Sequence, residues 1–299
     1  MQVRTTEPRI LAIIQARYES SRLPGKVLRD IAGQPMLAWV VERTQRALTL
    51  DNVVVATTTK VSDDTIYSLC LERGYPCFRG SSQDVLDRYY QTAKAFDADI
   101  IVRITADCPL IDPHVIDQTV NAFLGLHDSE LGVKTTILSS ENTDSATSKS
   151  NTQPATNKSV VGPSGFPFDF SANRLPPPWG RTFPIGLDTE VCAYSVLEIA
   201  WKEANQKHHR EHVMPYFYEH PERFRVLMVN NLEDFGSLRW TVDTKEDLQL
   251  IRLIVSRFPG QTDFSWLEVL KLFEREPALA QVNANVKHKH YLQVDDRTT

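Results

Sequence analysis

None of the four cysteines, Cys70, Cys77, Cys108 and Cys192, has a partner at C-x-x-C spacing. That removes the usual zinc frameworks and gives no disulfide pattern, so they read as reduced core thiols. Long hydrophobic runs are missing too. The one early apolar stretch, Ile10 to Ala16, is too short for a membrane span or a signal segment and runs straight into Arg17. A cytoplasmic protein with no membrane association is expected. Positive charge is scarce: 33 Lys and Arg against 38 Asp and Glu leave a net charge of -5, which argues against a nucleic-acid surface. Neither glycine-rich phosphate loop, G-x-x-x-x-G-K or G-x-G-x-x-G, occurs.

What is present is an ordinary folding composition, 41% hydrophobic and 24% charged over 299 residues. It is enough for one large α/β domain, expected over 8–285 with a tail at 286–299. Short β-branched runs alternate with amphipathic stretches: strands at Ile10 to Gln15, Val53 to Thr57, near Cys77, and Ile100 to Thr105. Helices are expected over Met36 to Leu48, Asp63 to Arg73, Gln83 to Phe96 and Pro113 to Leu124. This is βαβ punctuation, and the nearly uninterrupted apolar strands fit a mostly parallel sheet covered on both faces. Between Thr135 and Val160 the pattern lapses. Ser, Thr and Asn fill 15 of those 26 positions, so 127–165 reads as a disordered insertion inside the domain. Later expectations are helices at Val196 to Ala204, Glu211 to Glu219, Lys245 to Phe258 and Ser265 to Glu274, and strands at Phe224 to Val229 and Leu238 to Val242.

The segment from Gln15 to Lys26 leaves the first strand and precedes the first helix, where the crevice of an open α/β sheet lies. Arg17, Arg22 and Lys26 together with backbone amides can cradle a polyphosphate there, and Pro24-Gly25 supplies the turn. On charge alone a solvated basic loop is an equal reading; the position after strand one favours the ligand. Asp107 and Asp243 each sit just past a strand end. Two such carboxylates could share an octahedral magnesium ion, although Asp243, with Glu246 three residues on, also spells a helix cap.

Gln15-Ala16-Arg17 followed by Ser20, Ser21, Arg22, Leu23, Pro24, Gly25 and Lys26 resembles the signature of CMP-sugar synthetases. More closely the chain resembles the spore coat polysaccharide biosynthesis protein F type of cytidylyltransferase, itself similar to CMP-KDO and acylneuraminate synthetases. The resemblance implies a nucleotide-diphospho-sugar transferase fold of the GT-A-like kind. It also implies transfer of CMP from CTP to an anionic sugar, a 2-keto sugar acid, with release of pyrophosphate, in polysaccharide or surface-glycan biosynthesis. By the same resemblance Arg17, Arg22, Lys26 and Asp107 are catalytic. Asp107, of the G-D-x-P motif, and Asp243, of the V-D-T-x-E-D-L motif, hold Mg2+; Ala106 departs from the usual glycine. The nucleotide contacts are Ala16, Arg17, Arg22, Lys26, Thr57, Thr58, Arg79 and Ser81, the last two of which could equally cap a helix. Arg181, Asp188 and Glu190 are carried over to the acceptor side, with a purely structural loop an equal reading, and Arg210 and His212 to the acceptor side or a dimer interface. Dimers are common in the resembling family, which makes a homodimer the assembly to test for.

Two motifs point elsewhere. Asp97-Ala98-Asp99 spells the D-x-D of metal-dependent glycosyltransferases but lies at the wrong end of its strand. His208 to His212 spells H-x-x-E-H, with nothing else to support a zinc hydrolase. Two further functions compete with nucleotidyl transfer: a glycosyltransferase using a preformed nucleotide-sugar, and a non-catalytic sugar-nucleotide binder.

Overall fold

A computed structural model describes residues 7–126, 132–138, 162–177 and 179–287. Its centre is an eight-stranded sheet in the order β5-β4-β1-β6-β9-β8-β10-β7. These strands are β1 (Ile10–Gln15), β4 (Asn52–Thr58), β5 (Cys77–Gly80), β6 (Ile100–Thr105), β7 (Val133–Ile137), β8 (Phe170–Ala172), β9 (Glu190–Ala193) and β10 (Val226–Asn231). A separate two-stranded ribbon pairs β2 (Asp30–Ile31) with β3 (Gln34–Pro35). Strands β5, β4, β1 and β6 are mutually parallel. Strand β9 then runs antiparallel to β6 with Arg103 opposite Glu190, and β7 closes the far edge antiparallel to β10. The α/β class and the mostly parallel sheet are as expected.

The apolar run of β1 explains its place: Ile10 to Ile14 are all buried, so both faces need covering. Helices α1 (Met36–Thr44) and α4 (Pro113–Phe123) pack on each other and on the sheet. Helix α3 (Val85–Ala95) packs on β1, β4 and β5. Its crossover returns along the sheet in the opposite direction from α1, which places it on the opposite face if every crossover is right-handed. Helix α2 (Asp64–Arg73) joins β4 to β5, α5 (Tyr194–Glu203) follows β9, and α8 (Lys245–Ser256) and α9 (Trp266–Arg275) follow the last strand.

Three expectations change. The insertion expected over 127–165 contains strand β7, held by a five-residue ladder on β10; its Val and Thr residues suit a pleated edge despite the polar composition. Of the remainder, residues 132, 138 and 162–165 are described, while 127–131 and 139–161, like 288–299 of the expected tail, lie outside the described residues. The helix expected over Glu211 to Glu219 is two short helices, α6 (Lys207–His212) and α7 (Pro215–Tyr218). Pro215 lacks an N–H and disfavours helix just before it, and Val213 takes a φ of 72°. The strand expected over Leu238 to Val242 forms no ladder in the sheet. It runs beside residue 185, with Ile185 N–H donating to Leu238 O at 2.8 Å and Trp240 N–H to Ile185 O at 2.7 Å.

Candidate active site

The carboxyl ends of β1 and β6 open into one cleft, lined on one side by the 15–27 loop and on the other by α6, α7 and Asp243. The loop is set by its own sequence. Gly25 N–H donates to Tyr18 O at 2.8 Å, with Gly25 at a φ of 66°, a conformation glycine adopts without penalty. Buried Asp63 fastens the other flank: it accepts from Tyr18 N–H at 2.6 Å and from the Thr58 hydroxyl.

At the cleft floor the two acids meet on one cation. Lys26 Nζ donates to Asp107 Oδ2 at 2.8 Å, to Asp243 Oδ1 at 2.8 Å and to Val242 O at 2.9 Å. Asp243 Oδ2 further accepts from Arg22 at 2.7 Å and from Arg239 at 2.8 Å. Burial by itself would raise the Asp243 carboxyl; the charge of Lys26, the hydrogen bonds from Lys26 and Arg239, and the charge of Arg22 outweigh it and hold the group well below the ordinary carboxylate range. Burial likewise works against the Lys26 ammonium, and the two aspartates more than reverse it, raising its pKa.

Asp243 is not the helix cap. Thr244 is, in a reciprocal capping box with Asp247 at the start of α8, so Asp243 is left to face the cleft. Asp247 is fully buried and accepts from Arg239 Nε at 2.9 Å, from Asn283 at 2.9 Å and from the backbone of Asp243 and Thr244 at 3.0 Å each. Val242 N–H donates to Asp107 O at 2.8 Å, stitching the two acid-bearing turns together.

The expected residues sort cleanly by position. Arg17, Arg22, Lys26, Asp107, Asp243, Glu190 and His212 all line the cleft. Ala16 lies at its root with its N–H given to Ala56 O at 3.1 Å. The others are not brought to it. Thr57 is buried, its hydroxyl without a hydrogen-bond partner among the described residues, and Thr58 serves Asp63. Arg79 donates to Thr58 O at 2.9 Å and Lys60 O at 3.0 Å and pairs with Asp64 at 2.7 Å; Ser81 accepts from Asp84 N–H at 3.0 Å. Arg181 forks onto Asp188 at 2.6 and 3.2 Å, and Arg210 ties Asp84 and Trp201 O to α6 at 2.8 and 2.7 Å. Arg79, Arg181 and Arg210 are struts around the site, because they lie outside the cleft lining with donors given to neighbours.

Sequence reasoning overlooked Arg103, Arg174, Glu211 and Tyr218, which line the cleft, and Arg239 behind it. Arg103 did leave a signal: a lone charge inside the apolar strand Ile-Ile-Val-Arg-Ile. The H-x-x-E-H pattern does not assemble. His208 and His209 share Glu219 at 3.0 and 2.7 Å, away from the cleft, while Glu211 and His212 face it. Asp97 and Asp99 sit at the amino-terminal edge of β6, engaged with Arg9.

The oxygens of Asp107 and Asp243 lie one hydrogen bond apiece from a single ammonium nitrogen. Such a donor pair fits a hard divalent cation that keeps waters and phosphate oxygens as its other ligands.

Residues 11–175 match the family model described as cytidylyltransferase. Spore coat polysaccharide biosynthesis protein SpsF of Bacillus subtilis is 30% identical over 91% of this chain and 96% of its own. A 3-deoxy-manno-octulosonate cytidylyltransferase of Trichlorobacter lovleyi is 40% identical over 41% of this chain and 48% of its own. Among solved structures, a cytidylyltransferase from Leptospira borgpetersenii superposes with a TM-score of 0.74 at 29% identity, over 95% of this chain and all of that one. No described helix is long and apolar enough to cross a membrane.

Proposed function

This chain belongs to the cytidylyltransferase family, and from that footing we propose that it transfers CMP from CTP to the hydroxyl of an anionic sugar, a 2-keto sugar acid, in the building of a surface polysaccharide. The acceptor oxygen forms a bond to the α-phosphorus, the bond from that phosphorus to the bridging oxygen breaks, pyrophosphate leaves, and the hydroxyl proton passes to water. The observation that carries this reading is the meeting of Asp107 and Asp243 on Lys26, beside Arg17 and Arg22, at one end of one cleft.

Little covalent chemistry falls to the protein. Arg17 and Arg22 offer forked donors to phosphate oxygens, and Lys26 a compact charge. Asp107 and Asp243 would hold Mg2+, which when bound supplies positive charge to the phosphoryl oxygens and lowers the pKa of a coordinated hydroxyl. The rest is alignment: the loop anchored by Asp63 and the turn anchored by Asp247 fix donors and acids against one another before substrate arrives.

Pyrophosphate release from CTP, with Mg2+ and a panel of sialic, octulosonic, pseudaminic, legionaminic and phosphonate-type acids, tests the reading. Asp107→Asn and Lys26→Ala are expected to fold and to lose roughly a hundredfold in turnover, about 3 kcal/mol. Release of a nucleoside diphosphate from a sugar donor would replace nucleotidyl transfer by glycosyl transfer. CTP binding without metal-dependent turnover would reduce the protein to a binder.

A further inference from the structure

Arg103 stands two residues before Thr105 on the same face of β6, and both line the cleft. Its strand neighbours are apolar and buried. A guanidinium in such a place needs acceptors, yet among the described residues only Nη1 has one, the carboxylate of Glu190 directly across the β6–β9 ladder. Nε is buried with no acceptor. Nη2 is the donor left for a ligand, since Arg103 lines the cleft and, unlike Nε, this nitrogen is not among the buried unpaired atoms; a charged N–H group of this kind suits a carboxylate oxygen. Glu190 holds Nη1 and thereby fixes the orientation of the guanidinium. It is itself buried on the cleft wall, its side chain 5% exposed, so it cannot swing away into solvent to release the arginine.

We infer that Arg103 is the carboxylate-binding group of the acceptor subsite, held in register by Glu190. This rests on the proposed function and names the part of the site that selects an acidic sugar. The location is coherent with the chemistry: Thr105 and Asp107 follow on the same strand end, so a carboxylate held at Arg103 leaves the rest of the sugar lying toward Asp107 and the phosphate loop. Arg174, Glu211 and His212 line the same region and present groups suited to sugar hydroxyls.

The test uses the full chain and calorimetry with 3-deoxy-manno-octulosonate, N-acetylneuraminate and the methyl ester of each. Wild type is expected to bind at least one acid ten-fold or more tighter than its ester. Arg103→Gln should lose that preference, with CTP affinity unchanged within two-fold. Since the single change leaves Glu190 buried without its cation, the double variant Arg103→Gln/Glu190→Gln, which keeps a hydrogen bond across the ladder, is measured alongside and should lose the same preference. An acid preference that survives in a folded variant, or wild type that binds neither acid better than its ester, overturns the inference. Failure of the proposed function looks different: acids bind selectively through Arg103, yet no pyrophosphate is released from CTP.

Discussion

Lys26 stands where a divalent cation would have to compete with it. Its ammonium neutralises Asp107 and Asp243 at 2.8 Å each, so two acids that would otherwise repel are stored as a pair. An ion held between them would require the lysine to turn toward an incoming phosphate, which would make nucleotide and ion partners in one event. Lys26→Met removes the competitor. Binding of Mn2+ to the nucleotide-free protein, read by electron paramagnetic resonance, is expected to tighten, on the order of tenfold, or about 1.4 kcal/mol, while turnover falls; unchanged Mn2+ affinity would show that the lysine does not guard the acids. Asp243 also sets a pH dependence. Its folded pKa lies below the ordinary value of 3.8, so its contribution to stability is complete above that value and is lost as pH falls through the folded pKa. Asp243→Asn should flatten the acid limb of a denaturation-versus-pH curve below about pH 4 and leave the neutral and alkaline limbs in shape.

The elements carrying these residues differ in how openly the sequence announced them. Strands β1 and β6 and helices α1, α3 and α4 were legible because hydrophobic period and length agree there. The segment from Leu238 to Val242 was not. Its β-like pattern was real, but its partner is the turn at Pro184 to Gly186, a contact that no local pattern encodes. Gly186 lets the two backbones approach: its φ is 111°, and a Cβ on it would meet Trp240 C at 2.7 Å and Thr241 N at 2.8 Å. Gly186→Ala is expected to lower the melting temperature and to reduce turnover with it, because the displaced segment leads into Asp243; full activity with a lowered melting point would separate the two. The capping box gives a graded comparison. Thr244→Ala should cost about 1 kcal/mol, whereas Asp247→Ala leaves Arg239 with Asp243 but takes the buried acceptor from its Nε and should cost more, about 1.5–3 kcal/mol, both read by urea denaturation. Helix α6 shows the opposite case. Its break before Pro215 was missed although the proline marks it, and the positive φ of Val213, beside His212 and Pro215 of the cleft lining, had no sequence mark at all. A β-branched residue is costly there, about 1–3 kcal/mol, and such strain persists only where packing on both sides enforces it.

On the scale of the whole molecule, the site is assembled from segments far apart in the chain: the loop after β1, the end of β6, and the approach to α8. The motifs named these segments individually, and the family resemblance named Asp107 and Asp243 as partners where the residues alone left Asp243 as an equally good helix cap. They could not tell Arg181 and Arg210 from Arg103 and Arg174, since the choice between a strut and a cleft wall depends on whether a carboxylate such as Asp188 or Asp84 stands within reach. One sheet links the first two segments, and the hydrogen bonds donated by Val242 N–H to Asp107 O and by Lys26 Nζ to Asp243 join the third to them. A ligand that touches all three then binds only the folded whole. CTP with Mg2+ at a hundred times its dissociation constant should stabilise the chain by about 2.7 kcal/mol, seen as a single melting transition shifted upward by several degrees. Asp107→Asn should lose most of that shift, while Arg181→Gln, outside the cleft, should keep it even though its own baseline is lower. Two separate transitions, with only one responding to nucleotide, would mean that the carboxylates and the phosphate loop belong to different cooperative units, and the shared cleft would not then survive as the basis of activity.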